Sequence, residues 1–215
     1  MIIPGILETD FEEIEKKIGL VEGKVERIQI DIADGELVDG KTFLGIEQIG
    51  NLKTTAELEL HLMVENPLEF VETKINNVGR VCAQIEAILY VEDFVKNAHE
   101  KVYVVGLSLS PESELKELKP YIDHIDFVQF MTVIPGEQGR PFEDSVLEKI
   151  KEFKNLWPNM PCQADGGINE HTINKAVKSG CRNLVVGSAI FNSEAPSEKI
   201  KSLNSIISEV KSKHD

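Results

Sequence analysis

Short apolar runs alternate with amphipathic stretches along the whole chain. Eight runs have strand character, because their apolar residues either alternate with polar ones or form a short continuous block. These runs are MIIPGIL, VERIQIDIA, ELELHLMV, VCAQIEA, KVYVVGLSL, HIDFVQFMTV, MPCQAD and NLVVGSAI. Successive runs begin roughly 25 residues apart, which is the spacing of strand–helix units in a (β/α)8 barrel.

Helical segments are predicted between several of these strands. The segment DFEEIEKKIGL carries apolar residues at helical spacing and begins with Asp10, a favourable N-cap. A second helix is predicted from Pro67 in PLEFVETKINN, because proline is favoured at the first helical position. A third lies in DSVLEKIKEFKNLW, and a fourth, NEHTINKAVKSG, is predicted to end at Gly180.

This order of elements predicts an α/β fold, specifically a (β/α)8 TIM barrel, with residues 1–215 forming a single domain. An open doubly wound sheet is the alternative. That fold has fewer strands as a rule, and no G-x-G-x-x-G follows the first strand here. No change of composition and no linker divides the chain, so we favour the barrel.

Polar side chains gather at the C-terminal ends of the predicted strands. In RIQIDIADG, Gln29 and Asp31 alternate with isoleucines and therefore share one face of the strand. Other strand ends carry His61, Gln84, Glu86 and Asp165. Active sites of barrels lie at this end of the strands. Any one of these residues alone is equally well explained as a cap or a loop anchor, but together they predict a site.

Two glycine-bearing turns follow the last two strands. Gly166 and Gly167 lie in DGGI, and Gly187 and Ser188 lie in VGSAIF. Turns after strands 7 and 8 of a barrel frequently bind phosphate, because glycine allows close approach and helix N-termini offer free N–H donors. The two turns together predict a phosphate site. A third loop, VIPGEQGRPF, is predicted to cover the mouth, with an ordinary long loop as the alternative.

Composition and charge narrow the range of partners. The chain has 41% hydrophobic and 28% charged residues, which is ordinary for a globular protein, and its formal net charge is −14. That charge disfavours nucleic acid and anionic membranes as partners, but not a small anion held by backbone N–H groups. No signal peptide begins the sequence. Cys82, Cys162 and Cys181 form no C-x-x-C pair, which argues against a zinc ribbon or a disulfide framework. We therefore expect a cytoplasmic protein.

Six segments of the chain together match the motifs of a known family. The chain resembles ribulose-phosphate 3-epimerases along nearly its full length. The matching segments are IIPGILETDF, IDIADGELVDG, LHLMVENP, FMTVIPGEQG, ADGGI and VVGSAIF. This series, in one order, is specific for the family's fold and phosphate site and less specific for its reaction.

The resemblance implies inversion at C3 of a ketopentose phosphate, with ribulose 5-phosphate and xylulose 5-phosphate as the pair. It implies that Asp31 and Asp165 exchange the proton and that a divalent metal (zinc, iron, manganese or magnesium) stabilises the enediolate. The metal ligands would be Asp31, His61 and Asp165. The substrate would contact His61, Met63, Met131, Gly136 and Gly139. We also expect a homo-oligomer.

The chain departs from the family pattern at the reacting end of the substrate. Gln29 stands where the family has a histidine metal ligand, and Gln84 stands where it has another histidine. Gly5 and Ala33 replace a serine and a methionine, and the cover loop reads P-G-E-Q-G instead of P-G-F-G-G. An amide oxygen is a weaker ligand than imidazole for zinc.

Three functions therefore stay open. The first is a pentose-phosphate epimerase that removes a proton next to a carbonyl. The second is an epimerase or isomerase for a different phosphosugar, with or without a metal. The third is a catalytically silent barrel that binds a sugar phosphate. Two retained aspartates favour an enzyme, because a pure binder of an anion gains nothing from two like charges beside it.

Overall fold

Eight parallel strands close into a barrel in the computed structural model, which describes residues 1–136 and 139–211. Each strand pairs with the next, and β8 pairs with β1 to close the ring. The strands are β1 (Ile2–Ile6), β2 (Arg27–Ala33), β3 (Glu57–Met63), β4 (Val78–Gln84), β5 (Val104–Leu109), β6 (Phe127–Met131), β7 (Cys162–Asp165) and β8 (Asn183–Val186). The predicted TIM-barrel fold class is confirmed.

Helices surround the barrel. They are α1 (Phe11–Val21), α2 (Ile46–Ile49), α3 (Val91–Glu100), α4 (Val146–Leu156), α5 (Ile173–Ser179), α6 (Ser188–Phe191) and α7 (Pro196–Lys211). Asp10 caps α1 as predicted, since its Oδ1 accepts from Glu12 N at 2.8 Å. Gly180 ends α5 with φ of 114°, a left-handed conformation that favours glycine.

The helix predicted from Pro67 is wrong. Residues Pro67–Val71 form only a short 3-10 helix before the chain enters β4 at Val78. So few residues separate the two elements that a longer helix would carry the chain away from the start of β4. Lys74 Nζ instead donates to Val78 O at 2.6 Å and helps hold this connection.

Alternation along the strands separates an apolar outer face from a polar interior. Ile28, Ile30 and Ile32 of β2 are buried at 0–1% exposure and belong to the hydrophobic core between strands and helices. Burial of each such side chain stabilises the fold by about 1.5–3 kcal/mol. The residues between them, Gln29 and Asp31, have the opposite orientation and face the barrel interior. Among residues 1–136 and 139–211, none of the helices is both long and apolar enough to cross a membrane.

Candidate active site

A cavity opens at the C-terminal end of the barrel. The structure brings to it nearly every residue that the sequence predicted for the site. Its lining includes Asp31, His61, Met63, Met131, Gly136, Gly139, Asp165, Gly166, Gly167, Gly187 and Ser188. Residues 137 and 138 of the predicted cover loop lie outside the described residues.

Asp31, His61 and Asp165 form the centre of this cavity. Asp31 and His61 are register partners on β2 and β3, so their side chains project side by side. His61 Nδ1 lies 3.1 Å from Asp31 Oδ1 and 3.5 Å from Asp165 Oδ2. The nearest ligand atoms of the three residues all lie within 4.8 Å of one another. His61 is completely buried, while both aspartates keep a small exposed fraction.

Gln29 links the two aspartates. Its Nε2 donates to Asp31 Oδ1 at 2.9 Å and to Asp165 Oδ2 at 2.7 Å. Gln129 Nε2 donates to the same Asp165 oxygen at 3.0 Å. Asp165 Oδ2 therefore accepts hydrogen bonds from two side-chain amides that lie deeper in the barrel. Each hydrogen bond of this kind to a charged group contributes about 1.5–3 kcal/mol.

A carboxylate deeper in the barrel fixes which way these amides point. Glu59 Oε1 can only accept, so Gln163 must present its Nε2, at 2.6 Å. The same Nε2 donates to Gln129 Oε1 at 2.6 Å and approaches Gln29 Oε1 at 3.4 Å. With their oxygens turned toward Gln163, Gln29 and Gln129 must turn their N–H groups toward Asp165.

The orientation of the Gln163 amide leaves one buried oxygen without a hydrogen bond among the described residues, but the reverse orientation would be less favourable. Gln163 Oε1 is buried and has no hydrogen-bond partner within the described part of the chain, which costs about 1–3 kcal/mol. Turning the amide over would set Gln163 Oε1 against the acceptor oxygens of Glu59, Gln129 and Gln29 instead. Glu59 is itself held by Arg80, whose Nε donates to Glu59 Oε2 at 2.6 Å.

Glu59, Gln129 and Gln163 are functional candidates that sequence reasoning missed. Their signal was nevertheless present, because each stands two positions before a residue of the cavity: His61, Met131 and Asp165 respectively. A spacing of two along a strand places both side chains on the same face. A polar residue two positions before a strand-end candidate therefore indicates a second polar layer inside the barrel.

Burial and nearby charges shift the pKa values of Asp165 and His61. Burial and the negative charge of Asp31 raise the pKa of Asp165 to about 7. Burial opposes the charged form of His61, but the hydrogen bond to Asp31 and the charges of Asp31 and Asp165 outweigh it and raise its pKa. The site thus favours one protonated aspartate beside a second one, the arrangement that acid–base chemistry on a single carbon requires.

The same three residues fit a divalent metal. In a tetrahedral zinc site with bonds of about 2.0–2.2 Å, ligand atoms are separated by about 3.3–3.6 Å. The separations from His61 Nδ1 to the two aspartate oxygens, 3.1 and 3.5 Å, are close to this range. Gln29 directs an N–H donor at the same two oxygens, and an amide nitrogen of this kind does not ligate a metal. The site therefore offers a divalent metal three protein ligands, Asp31, His61 and Asp165.

The glycine turns line the same cavity. Gly166 and Gly167 have φ of 111° and 63°, which disfavours side chains. A Cβ at Gly166 would lie 2.3 Å from Val133 Cγ2, and one at Gly167 would lie 3.0 Å from the Phe142 backbone. The turn therefore requires glycine, and its backbone is left bare toward the cavity.

Gln84 and Glu86, the two polar residues at the end of β4, make different contacts. Gln84 Oε1 lies 3.2 Å from His61 Nε2, and its Nε2 donates to Ser110 Oγ at 3.0 Å, so it orients the imidazole. Glu86 is exposed and accepts from Ser110 N at 2.8 Å and from Ser113 Oγ. Glu86 therefore anchors the loop after β5.

Comparison with known proteins identifies the family of the chain. Residues 1–191 match the model of the family described as "Ribulose-phosphate 3 epimerase family". The chain belongs to the ribulose-phosphate 3-epimerase family. Curated members include the ribulose-phosphate 3-epimerase of Schizosaccharomyces pombe, 28% identical over 212 residues that cover 96% of this chain and 93% of the relative. The cytoplasmic isoform of Oryza sativa is 30% identical over 210 residues that cover 94% of this chain and 92% of the relative.

Solved structures show the same fold at low identity. The 3-hexulose-6-phosphate synthase of Salmonella typhimurium aligns with a TM-score of 0.73 at 14% identity, covering 97% of this chain and 99% of that one. Orotidine 5'-phosphate decarboxylase of Pyrococcus horikoshii aligns with a TM-score of 0.71 at 17% identity, with the same coverage. Membership of an epimerase family confirms the predicted enzyme class, an isomerase.

Proposed function

We propose that this chain interconverts ribulose 5-phosphate and xylulose 5-phosphate by removing and returning the proton at C3, with Asp31 and Asp165 as the two acid–base groups. The observation that carries the proposal is the pair itself: two aspartates from β2 and β7, bridged by Gln29 Nε2 at 2.9 and 2.7 Å in one cavity. Membership of the epimerase family supports the same reaction.

Each aspartate has one oxygen in the polar cluster and one that we assign to the substrate. The contacts of Asp31 with Gln29 and His61 fall on Oδ1. Those of Asp165 with Gln29, Gln129 and His61 fall on Oδ2. We therefore assign proton transfer to Asp31 Oδ2 and Asp165 Oδ1. A protonated Asp165 then returns a proton to one face of C3 after the Asp31 carboxylate has taken one from the other.

The negative charge that develops on the ketone oxygen needs a positive or hydrogen-bonding partner. Without a metal, the chain's own positive charge at the cluster is that of His61, whose raised pKa favours the imidazolium. Gln29 directs its N–H groups at Asp31 and Asp165. Asp31, His61 and Asp165 would hold a divalent metal, which would supply Lewis-acid stabilisation of that oxygen when bound. Gln29 contributes a hydrogen-bond donor and not a fourth ligand.

We assign the phosphate of the substrate to the two glycine turns. Gly166, Gly167, Gly187 and Ser188 line the cavity, and a bare backbone with a nearby hydroxyl suits an anion. The buried Met63 and Met131 also line it and offer apolar contact to the sugar carbons. A phosphate anchored at these turns would place C3 within reach of the aspartate pair.

The experiment that tests the function follows hydrogen at C3. The full-length protein is mixed with ribulose 5-phosphate in deuterated water, with and without a chelator, and products are followed by NMR. We expect deuterium at C3 and formation of xylulose 5-phosphate. Binding of the substrate without exchange or inversion in either condition would show a silent sugar-phosphate-binding barrel instead. Inversion without deuterium incorporation would exclude proton exchange with solvent through two aspartates.

A further inference from the structure

Two of the three cysteines meet at the N-terminal end of the barrel, opposite the mouth. Cys162 begins β7, and Cys181 lies just before β8 begins at Asn183. Their Sγ atoms are 3.3 Å apart, although 19 positions separate them in sequence. Both side chains are buried, with 4% and 1% exposed. The fold therefore creates a dithiol pair that the sequence spacing did not show.

The backbone around the pair already suits a disulfide. Gln163 and Asn183 are Cα partners in the parallel pairing of β7 and β8, and continuing this register by one position places Cys162 beside Arg182, the residue after Cys181. Neighbouring strands lie about 4.8 Å apart, and disulfide-bonded cysteines have Cα atoms about 4.4–6.8 Å apart. Closing the bond therefore requires the two Sγ atoms to move from 3.3 Å to about 2.05 Å apart, between neighbouring strand ends.

The two thiols differ chemically. The hydrogen bond from Cys181, together with the charges of Lys154 and Arg182, lowers the pKa of Cys162. Lys154 is fixed nearby because its Nζ donates to Met160 O at 2.9 Å. Burial raises the pKa of Cys181 well above its usual value. Cys162 is thus the nucleophile of the pair, and Cys181 is the thiol beside it.

A surface cavity gives access to these sulfurs. Both cysteines line it, together with Lys154, Asn159, Met160 and Arg182. The cationic side chains favour an anionic sulfur. By contrast, Cys82 is fully buried in β4, where burial raises its pKa well above its usual value. A small oxidant therefore has a route to Cys162 that it lacks to Cys82.

We propose that Cys162 and Cys181 form a reversible dithiol–disulfide pair that is oxidised by small hydroperoxides. The Cys162 thiol releases its proton, its sulfur attacks a peroxide oxygen, the O–O bond breaks, and the hydroxide or alkoxide that leaves takes up that proton. Cys162 becomes a sulfenic acid, which the Cys181 sulfur then attacks. The S–S bond forms and water leaves, so two electrons and two thiol hydrogens have passed to the peroxide.

The bond would connect β7 to the segment that enters β8. It lies at the end of the barrel that serves stability, while the cavity lies at the other end. Because a cross-link restricts the unfolded chain, we expect the oxidised protein to have a higher melting temperature than the reduced protein. Dithiothreitol should reverse the shift. An unchanged or lowered melting temperature in fully oxidised protein would exclude this stabilising role.

The direct test uses the full-length protein treated with hydrogen peroxide at low molar excess. Remaining thiols are alkylated, and the intact mass and the peptide map are measured before and after dithiothreitol. We expect the loss of two hydrogens, one alkylated thiol at Cys82, and a linked pair of peptides containing Cys162 and Cys181. Three alkylated thiols, or a cross-link between two chains, would overturn the proposal.

Two matched variants separate the roles of the sulfurs. In Cys181→Ser, peroxide and dimedone together should give a sulfenic-acid adduct on Cys162, because no neighbouring thiol resolves it. In Cys162→Ser, Cys181 should give no adduct. The opposite pattern, or adducts on both sulfurs, would contradict the assignment of Cys162 as the nucleophile. Wild-type protein gives the reference, since its sulfenic acid should be resolved before dimedone reacts.

Discussion

Asp165 is the residue whose environment is most specialised. Its Oδ2 accepts from Gln29 at 2.7 Å and from Gln129 at 3.0 Å, and it faces His61 at 3.5 Å. Burial and the charge of Asp31 still raise its pKa to about 7. Donors on one oxygen and a proton on the other suit a group that alternates between acid and base near neutral pH.

The first prediction concerns the two aspartates. Asp31→Asn and Asp165→Asn should each lower kcat for epimerisation by about 10²–10⁴-fold, because an amide does not take up the proton. KM should change little. Each variant should still exchange the C3 proton of one epimer with solvent, since one base remains. Steady-state kinetics and NMR in deuterated water measure both effects.

Glu86→Gln is the control for this pair. It neutralises a carboxylate next to β4 whose contacts go to the loop after β5. Its kcat should stay within a few-fold of the wild-type value. If either Asp→Asn variant retained the activity of this control, the assignment of that aspartate as an acid–base group would be wrong.

The second prediction concerns Gln29. Gln29→His would replace an amide donor by an imidazole at the edge of the Asp31–His61–Asp165 cluster, so the site would gain a fourth ligand. We expect zinc affinity to rise by about tenfold or more and the epimerase rate to rise with it. Calorimetric zinc titration and elemental analysis measure the affinity independently of activity.

Gln48→His on α2 makes the same replacement at an exposed position and should leave zinc affinity unchanged. Stoichiometric zinc in wild-type protein, held as tightly as in Gln29→His, would show that the three ligands already suffice. That result would also show that the Gln29 amide does not limit the metal site.

At the scale of elements, different strand ends supply the reacting groups and the proposed phosphate site. β2, β3 and β7 bring the reacting cluster, while the turns after β7 and β8 bring bare backbone and the Ser188 hydroxyl. Gly5 of β1 belongs to the same region, and a Cβ there would lie 2.8 Å from Val185 Cγ1 of β8. The Val185 side chain therefore occupies the space that a side chain at position 5 would take.

The third prediction tests the phosphate turn. Ser188→Asp places a carboxylate beside the proposed phosphate position, and repulsion between like charges should raise KM for ribulose 5-phosphate by about tenfold or more. Ser205→Asp adds the same charge to an exposed position of α7 and should leave KM unchanged. Equal KM values in the two variants, both with native circular dichroism, would show that the phosphate does not bind at this turn.

At the scale of the whole molecule, the polar interior of the barrel links stability to pH. The pKa of Asp165 is about 7 in the folded chain, against an ordinary value of 3.8. Between these values the unfolded chain has released the proton while the folded chain still holds it. This aspartate therefore makes the free energy of unfolding decrease as the pH rises toward 7.

The fourth prediction follows from that linkage. In chelator-treated protein, the free energy of unfolding of Asp165→Asn relative to wild type should increase by about 2–3 kcal/mol between about pH 5 and about pH 8. The exposed Asp123→Asn should show a constant difference across the same range. Urea denaturation at each pH measures this. A pH-independent difference for Asp165→Asn would show that its pKa is not raised by folding.

The expectations of a homo-oligomer and of a cytoplasmic location stay predictions. So does the extent of the single domain over residues 1–215. What the fold does show is a barrel whose two ends differ in character. The mouth carries the aspartate cluster and the glycine turns, and the opposite end carries the Cys162–Cys181 pair.

Much of the fold followed from the sequence, because its signals are local. Alternation in RIQIDIADG fixes which residues of β2 face the helices, and Asp10 and Gly180 mark helix ends through contacts within a few residues. Because active sites of barrels lie at the C-terminal ends of the strands, the sequence also predicted that Asp31, His61 and Asp165 meet at one mouth. At Pro67 the pattern did not show that a short 3-10 turn would be followed by an irregular connection, which Lys74 holds through Val78 O.

Only the tertiary structure decided how these groups act on one another. Gln29 has one amide oxygen and one amide nitrogen, and the sequence does not say which of them faces Asp165, 136 positions away. Gln163 and Glu59, 104 positions apart, settle it, because a carboxylate can only accept a hydrogen bond. The pKa of Asp165 and the approach of Cys162 to Cys181 likewise depend on burial and on distances across the barrel, which local patterns do not encode.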